Sequence, residues 1–468
     1  MINPKIKTVL KILLKFLLVL VLLYAAGRFV VVYQDSKLTG TRAPYIQMLG
    51  TNSVVIHWLS DNDESSIVRY GEDKDNLTKI VIDEAAVKNH IVKLSGLKPA
   101  TRYYYQTGKT VASPDFNTEK QWFYTHPDNV RPTRVWVIGD SGQAGETLDQ
   151  VRDSALNWMQ QNPEPGSNPL NQPVTGAVPL IDVWIALGDI AYRSGTNEQY
   201  QAALFDTFAD LTSNTVLWPV YGNHDDRRWT YFRIFDLPEN AESGGLASNT
   251  ENYYAVDYSN IHFVMLDSQE SDRSTDGKMA NWLKNDLAQN TRPWVIVVFH
   301  HPPYTKGSHD SDDASDSRGR MQDMRENILP ILEKSGVDLV LSGHSHMYER
   351  SYLIDCAYDD STKFTAKNIV SDGINGKHQD YVKPLQQTGK PIGNQGTIYV
   401  VAGSSSKVDQ GPLDHPVHKV GLLEAGSMVI DISDDKLIAR FINNKGEVRD
   451  TFSITKQDDY ESGYQGCE

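Results

Sequence analysis

Five short blocks of potential metal ligands are spread along the chain. They are GDSG at 139–142, GDIAY at 188–192, GNHD at 222–225, the histidine pair at 300–301 and GHSH at 343–346. Carboxylate and phenolate oxygens suit a hard trivalent cation, whereas imidazole and amide groups suit a borderline divalent cation. The blocks therefore predict a site for two metal ions, which Asp189 is able to bridge.

Each block directly follows an aliphatic run that reads as a buried strand. These runs are 134–138, 181–187, 216–220, 294–299 and 337–341. Helix-like stretches at 279–287 and 321–334 lie between some of them, which indicates α/β organisation with strands covered on both faces. Because the carboxyl ends of strands in an open α/β sheet meet at one crevice, we expect the five blocks to converge there.

A different pattern comes first, from 41 to 126. Short alternating runs at 53–59, 66–70, 89–94 and 102–106 are separated by turn residues and predict a small β-sandwich. Leu97, Pro99, Thr101 and Tyr103 form the pattern in which a tyrosine hydroxyl closes on upstream backbone at a sandwich corner. The segment resembles a fibronectin type III domain. We expect an ordinary all-β module without a binding partner, since fold alone does not indicate a binding role.

The composition restricts the classes of function. The chain has 468 residues, 45 Lys and Arg against 60 Asp and Glu, and a formal charge of −15. That balance argues against wrapping of nucleic acid, which depends on basic residues, but allows a small anionic substrate beside a metal. With no CxxC motif, Cys356 and Cys467 are too few for a thiolate zinc site. A disulfide between them outside the cytosol and two unpaired thiols are both compatible with the sequence.

The first thirty residues have the layout of an export segment. Four lysines, at positions 5, 7, 11 and 15, precede an apolar stretch from Phe16 to Gly27. Ala25 and Gly27 have the small-residue spacing of a cleavage site, while flanking apolar residues give nearly the length of a spanning helix. The pattern fits both a signal peptide and a signal anchor. We expect a secreted or periplasmic protein, or one anchored to the outer face of a membrane.

In their order and flanking text, the five blocks resemble the purple acid phosphatases of the binuclear metallophosphoesterase superfamily. Gly142 stands where other superfamily members have a histidine, and Tyr192 follows Asp189 by three residues. The resemblance covers nearly all of the chain after the export segment, including the sandwich in front and GHSHMYER at 343–350. It implies an N-terminal fibronectin type III-like β-sandwich followed by a metallophosphoesterase α/β sandwich domain.

The resemblance also implies roles for individual residues. Asp140, Asp189, Tyr192 and His346 are the expected ligands of Fe(III). A divalent zinc, manganese or iron ion is expected on Asp189, Asn223, His300 and His344. The resemblance matches His224 to a substrate-side histidine, which we take as the general acid, and matches His309 more loosely to a second one. Asp225 is expected either to orient His224 or to be a simple turn carboxylate, and His301 to be a structural neighbour of the ligands.

The resulting hypothesis is an exported acid phosphatase in which a metal-bound hydroxide attacks a small phosphomonoester. A phosphodiesterase, nucleotidase or phospholipase with the same metals is the alternative, and a non-enzymatic adhesion module is a third reading. The expected boundaries are 1–33 for the export segment, 41–126 for the sandwich, 131–455 for the catalytic domain and 456–468 for a tail. No function is assigned to 354–396, and the oligomeric state is left open.

Overall fold

The computed structural model describes residues 4–35, 37–110, 113–114, 121–163, 181–373, 379–385, 390–458, 460, 463–464 and 466. Cys467 lies outside the described residues, and so does any disulfide between it and Cys356. The α-helices are α1 (Pro4–Asp35), α2 (Glu146–Gln161), α3 (Asn197–Tyr200), α4 (Ala209–Thr212), α5 (Arg228–Ile234), α6 (Lys278–Gln289), α7 (Arg320–Asp323) and α8 (Leu329–Lys334), with π-helical turns at Gln201–Asp206 and Met324–Ile328.

The N-terminal module is built from six hydrogen-bonded strands. They are β1 (Arg42–Gln47), β2 (Ser53–Gly71), β3 (Lys79–Ser95), β4 (Arg102–Thr110), β5 (Ser113–Pro114) and β6 (Trp122–Tyr124). The two runs predicted at 53–59 and 66–70 are one strand, β2, because its pairing with β3 continues through register shifts around Glu64. The hydroxyl of Tyr103 accepts a 3.0 Å hydrogen bond from the backbone N–H of Lys98, which confirms the predicted tyrosine corner.

The remaining strands form two seven-stranded sheets and a short two-stranded ladder. They are β7 (Thr133–Ile138), β8 (Val183–Ala186), β9 (Leu217–Pro219), β10 (Tyr254–Tyr258), β11 (Ile261–Met265), β12 (Trp294–Val298), β13 (Leu339–Ser342), β14 (Tyr348–Ser351), β15 (Leu353–Ile354), β16 (Ile369–Ser371), β17 (Gln379–Leu385), β18 (Ile398–Ala402), β19 (His418–Leu422), β20 (Gly426–Ile432), β21 (Lys436–Asn443) and β22 (Val448–Asp458). Three residues of the predicted tail thus belong to β22.

The strands that precede the ligand blocks are divided between the two sheets. One sheet has the order β17-β22-β21-β20-β7-β8-β9, with β7, β8 and β9 parallel. The other has the order β10-β11-β12-β13-β18-β14-β19, with β11, β12, β13 and β18 parallel. The sequence predicts the crevice at the end of a single sheet. It lies instead where the carboxyl ends of the parallel strands of both sheets meet.

The side chains of β12 show how the second sheet is covered on both faces. Trp294, Ile296 and Val298 belong to the large core shared with the first sheet. Val295 and Val297 alternate with them and pack in a separate core with side chains of α6 and α8. This alternation is the two-residue periodicity of a strand whose two faces are both buried. It leaves the strand's carboxyl end as the place for polar side chains.

One helix among the described residues, α1, is long and apolar enough to cross a membrane. The stretch from Val9 to Val31 has 23 residues, and no part of it is buried inside the protein. A signal sequence at the N-terminus meets the same criteria of length and composition.

Candidate metal centre

The hydroxyl of Tyr192 is the centre of the first group of predicted ligands. It lies 3.0 Å from Oδ1 of Asp140, 3.2 Å from Oδ2 of Asp189 and 3.0 Å from Nε2 of His346. Nε2 of His346 is also 3.4 Å from Oδ1 of Asp140. Residues that are as far apart as 140 and 346 in sequence thus bring three oxygens and one nitrogen to one point.

A second group shares Asp189 with the first. Nε2 of His300 lies 3.5 Å from Oδ2 of Asp189 and 3.0 Å from Oδ1 of Asn223. The ring centroid of His344 is 5.0 Å from that of His300. The structure therefore brings together all seven predicted ligands, with Asp189 between the two groups.

Tight backbone packing positions the first two blocks against each other. The N–H of Gly142 donates to the carbonyl of Asp189, and the N–H of Tyr192 donates to the carbonyl of Gly142, both at 2.9 Å. A Cβ atom at residue 142 would lie 2.5 Å from the backbone nitrogen of Ala191 and 2.7 Å from that of Tyr192. A side chain at this position, such as the histidine of other superfamily members, would separate the loops that carry Asp140 and Tyr192.

Three of the predicted ligands have left-handed backbone conformations. The φ angles are 53° for Asp140, 54° for Asp189 and 67° for His344. Such angles are uncommon outside glycine and persist where the surroundings over-determine them, often at functional sites. The fold therefore maintains local backbone strain at the point where the donors converge.

The pKa shifts show a centre that concentrates negative charge. Burial raises the pKa of the Tyr192 phenol well above its usual value, and the charges of Asp140 and Asp189 raise it further. Burial lowers the pKa of His300, but the charge of Asp189 outweighs this effect and raises it to about 9. Burial likewise raises the pKa of Asp189, but His300 and His224 lower it to about 2. Such a centre attracts cations.

The two predicted substrate-side histidines lie against different ligand groups. The ring of His224 packs edge-on against Tyr192, with centroids 4.7 Å apart, and its Nδ1 donates to the carbonyl of Arg193 at 2.9 Å. Because that carbonyl only accepts, Nε2 is the atom of His224 left to face a substrate. His309 stacks on His344 at 3.9 Å, and its Nδ1 lies 2.9 Å from Oδ1 of Asp316.

Of the two roles expected for Asp225, its hydrogen bonds favour the turn carboxylate over a partner of His224. Its buried carboxylate accepts from the N–H groups of Asp189 at 2.8 Å, Ile190 at 3.1 Å and Gly222 at 3.1 Å. It also accepts from the Tyr200 hydroxyl at 2.7 Å. The hydrogen bonds of Asp225 among the described residues hold the loop of Asp189 and do not reach the ring of His224. The contact with His224 expected from the sequence is not formed, because the imidazole turns to Arg193.

Sequence reasoning missed two contacts of the ligand histidines. Nδ1 of His346 lies 2.5 Å from Oδ2 of Asp409, and Nε2 of His344 lies 2.6 Å from the hydroxyl of Ser317. Such partners fix the orientation and tautomer of a ligand histidine. Neither residue stands in a motif, since Asp409 follows the last block by more than sixty residues and Ser317 lies in a segment rich in Ser and Asp. His301 fits its expected structural role, with Nδ1 2.8 Å from the Ser268 hydroxyl.

Both the N-terminal module and the domain that follows it match known protein families. Residues 133–348 match the model of the calcineurin-like phosphoesterases, and residues 42–124 match that of the purple acid phosphatase N-terminal domain. Both parts of the chain are thus similar to the corresponding parts of purple acid phosphatases. These matches confirm the predicted fold class and enzyme class, a metal-dependent phosphomonoester hydrolase. The family depends on a binuclear metal centre, and the matches favour an enzyme over an adhesion module.

Individual relatives agree with this family. Probable purple acid phosphatase 20 of Arabidopsis thaliana is 28% identical over 333 residues, which are 65% of this chain and 68% of the relative. The purple acid phosphatase of Glycine max is 23% identical over 376 residues, 74% of this chain and 70% of the relative. The structure of purple acid phosphatase PPD1 from yellow lupin has the same fold, with a TM-score of 0.66 and 16% identity, covering 92% of this chain and 76% of the lupin chain.

Proposed function

We propose that this chain is an exported, binuclear metal-dependent acid phosphatase that hydrolyses small phosphomonoesters. The observation that carries the proposal is the position of the Tyr192 hydroxyl, within 3.2 Å of Asp140, Asp189 and His346. Burial and two carboxylates raise the pKa of this phenol, so it becomes a phenolate ligand only where a strongly acidic cation replaces its proton.

The donor set fits an Fe(III) and divalent metal pair. Two carboxylates and a phenolate supply hard oxygens for Fe(III), and His300, His344 and Asn223 supply nitrogen and amide oxygen for zinc, manganese or ferrous iron. Three negative charges from Asp140, Asp189 and Tyr192 oppose five positive charges of the metals, so the loaded centre is positive within an acidic protein. When bound, the two ions would activate a water molecule and neutralise the phosphoryl oxygens, which corresponds to the hydroxide mechanism expected from the sequence.

The protein's own groups would handle the proton of the leaving group. We assign general acid catalysis to Nε2 of His224, because the carbonyl of Arg193 already holds Nδ1. A correctly placed acid is worth about 10²–10⁴ in rate. His309 stands on the other ligand group, beside His344, and is assigned to substrate binding. Asp225 is assigned the role of positioning Asp189 instead of a direct catalytic role.

A comparison of substrates tests the proposal. The full-length protein, loaded with iron and then with zinc or manganese, is assayed on p-nitrophenyl phosphate and on bis(p-nitrophenyl) phosphate. We expect the monoester to react faster, with activity reduced in His309→Ala and in His224→Ala, the latter most on phosphomonoesters whose leaving group needs a proton. A faster reaction of the diester would support the phosphodiesterase alternative. No hydrolysis of either compound at any metal loading would refute the proposal.

Export is also part of the proposal. It is supported by the lysines before the apolar stretch and by the complete exposure of Val9–Val31. Fractionation of expressing cells tests it: the protein is expected outside the cytoplasm, in solution or bound to membrane. Sequencing of the mature N-terminus then distinguishes a cleaved signal peptide from a retained anchor.

A further inference from the structure

The apolar side chains of α1 are exposed along its length. Leu14 is 68% exposed, Leu17 58% and Phe29 71%, and helices of the folded body do not cover them. A helix of 23 residues spans about 35 Å, enough for the hydrocarbon core of a bilayer. If this helix is retained, lipid is the environment that removes its apolar surface from water.

Within a few residues of the end of α1, the chain is hydrogen-bonded to the folded body. The side-chain amide of Asn197, at the start of α3, donates to the carbonyl of Thr39 at 3.0 Å. Its oxygen accepts from Nη2 of Arg42 at 2.9 Å. Four residue steps separate Asp35, the last residue of α1, from Thr39, and they span at most about 14 Å. The body is therefore held close to any membrane that contains α1.

Asn197, which forms these hydrogen bonds, lies near the metal centre. Asn197 follows the ligand Tyr192 by five residues, and Tyr200 at the other end of α3 donates to Asp225 beneath Asp189. The next ligand block leads directly into α5, which approaches α1 to within 8 Å between Cα atoms. The rim of the metal centre formed by α3 and α5 therefore faces the side from which α1 leaves.

The surface on this side has the residue types of a membrane-contacting face. Trp229 in α5 is 58% exposed, although tryptophan is highly buried on average. Its amphipathic ring prefers the level of lipid headgroups. Within 192–199 and 226–229 the charged residues are three arginines against Glu198 and Asp226, a positive balance in a chain of charge −15. Basic residues on such a face are attracted to anionic lipid headgroups.

We propose that the anchor face, defined as segments 192–199 and 226–229, lies on the outer surface of the bilayer that holds α1. The substrates are then phosphomonoester headgroups of lipids in that bilayer. This inference rests on the proposed phosphatase function and adds a substrate class to it. The short connection between α1 and Thr39 holds the metal centre close to the headgroups. Trp229 orients the body so that the rim that carries His224 faces them.

The experiment uses the full chain reconstituted through α1 into phosphatidylcholine vesicles that contain a small fraction of phosphatidic acid. Phosphate release from the lipid is compared with hydrolysis of soluble p-nitrophenyl phosphate by the same vesicles. We expect Trp229→Ala to lower the rate on phosphatidic acid about tenfold, a change of about 1.4 kcal/mol, and to leave the soluble rate unchanged. Val448→Ala, which alters an exposed apolar residue of β22, is the matched control and should change neither rate.

Each other result has a definite meaning. Wild-type protein that hydrolyses the soluble compound but not phosphatidic acid would overturn the inference and leave the proposed function intact. The same holds if Trp229→Ala lowers neither rate, if it lowers both rates equally, or if the mature chain begins after residue 27. Failure of wild-type protein on both compounds, at every metal loading, would instead refute the phosphatase function itself.

Discussion

At the scale of single residues, Tyr192 has the most direct link between position and chemistry. Its hydroxyl contacts donors from three separate blocks, and its pKa is raised by burial and by the carboxylates around it. Phenolate ligation is favoured only where a cation offsets these effects. In the purple acid phosphatases, which this chain resembles, the bond between phenolate and iron produces the purple colour. Tyr192 is therefore a reporter of the metal as well as a proposed ligand.

Tyr192→Phe is expected to abolish the visible absorption band while the protein remains folded. The substitution removes one oxygen and leaves the ring, so packing against His224 is retained. Absorption spectroscopy of iron-loaded protein measures the effect, and circular dichroism checks the fold. Tyr352→Phe, at a partly exposed tyrosine after β14, should keep the band. A Tyr192→Phe variant with the wild-type spectrum would show that the phenol is not an iron ligand.

Asp225→Asn is expected to weaken metal binding about 10- to 100-fold, the usual effect of losing a partner of a ligand. The carboxylate accepts from three N–H groups and a hydroxyl, whereas an amide would turn an NH₂ group toward one set of these donors. Competition with a chelator measures metal affinity. Asp226→Asn, at the exposed neighbour, is the control. Unchanged affinity in Asp225→Asn would remove the positioning role.

At the scale of elements, the loops after β7 and β8 work as one unit because their backbones bond directly at Gly142. Gly142→Ala is expected to reduce metal content and the visible band, since its Cβ would lie 2.5 Å from the backbone of Ala191. Elemental analysis and absorption spectroscopy measure both effects. Ala144→Ser, at an exposed position in the same loop, should have wild-type values. Full metal content in Gly142→Ala would contradict the packing argument.

A buried histidine joins helix α6 to the edge of the second sheet. His262 in β11 lies between Asp257, 2.8 Å from Nδ1, and Asp286 of α6, 2.7 Å from Nε2. Burial lowers the pKa of His262, but the hydrogen bonds to Asp257 and Asp286 outweigh burial and raise it to about 9. A raised histidine pKa stabilises the folded state below the unfolded value of about 6.5, and this stability is lost as pH rises through about 9.

The expected contribution of His262 is about 3 kcal/mol at pH 6. His262→Gln should therefore lower the free energy of unfolding most at pH 6, and the difference from wild type should shrink at pH 9.5. Denaturant unfolding at the two pH values provides the measurement. His90→Gln, in the N-terminal module, is a control for loss of a buried imidazole elsewhere. A pH-independent difference for His262→Gln would contradict the assigned linkage.

At the scale of the whole molecule, the sequence predicts the parts that follow local patterns. The strands before the ligand blocks and the tyrosine corner each follow from a short stretch of residues. The helical stretch predicted at 321–334 forms as α7 and α8, joined by a π-helical turn at Met324–Ile328. The division of the strands between two sheets is not predictable in this way, because pairing such as that of β13 with β18 joins distant segments. The same holds for Asp409, whose contact with His346 exists only in the folded chain.

The central claim is that two sheets bring donors from five distant blocks into one centre that holds a pair of metal ions. Elemental analysis of full-length protein, purified without added metal salts and then after loading, tests it most directly. We expect about two transition-metal ions per chain, with iron as one of them, and a large loss in Asp189→Asn because this carboxylate belongs to both ligand groups. Folded wild-type protein that binds no transition metal under any loading condition would contradict the claim.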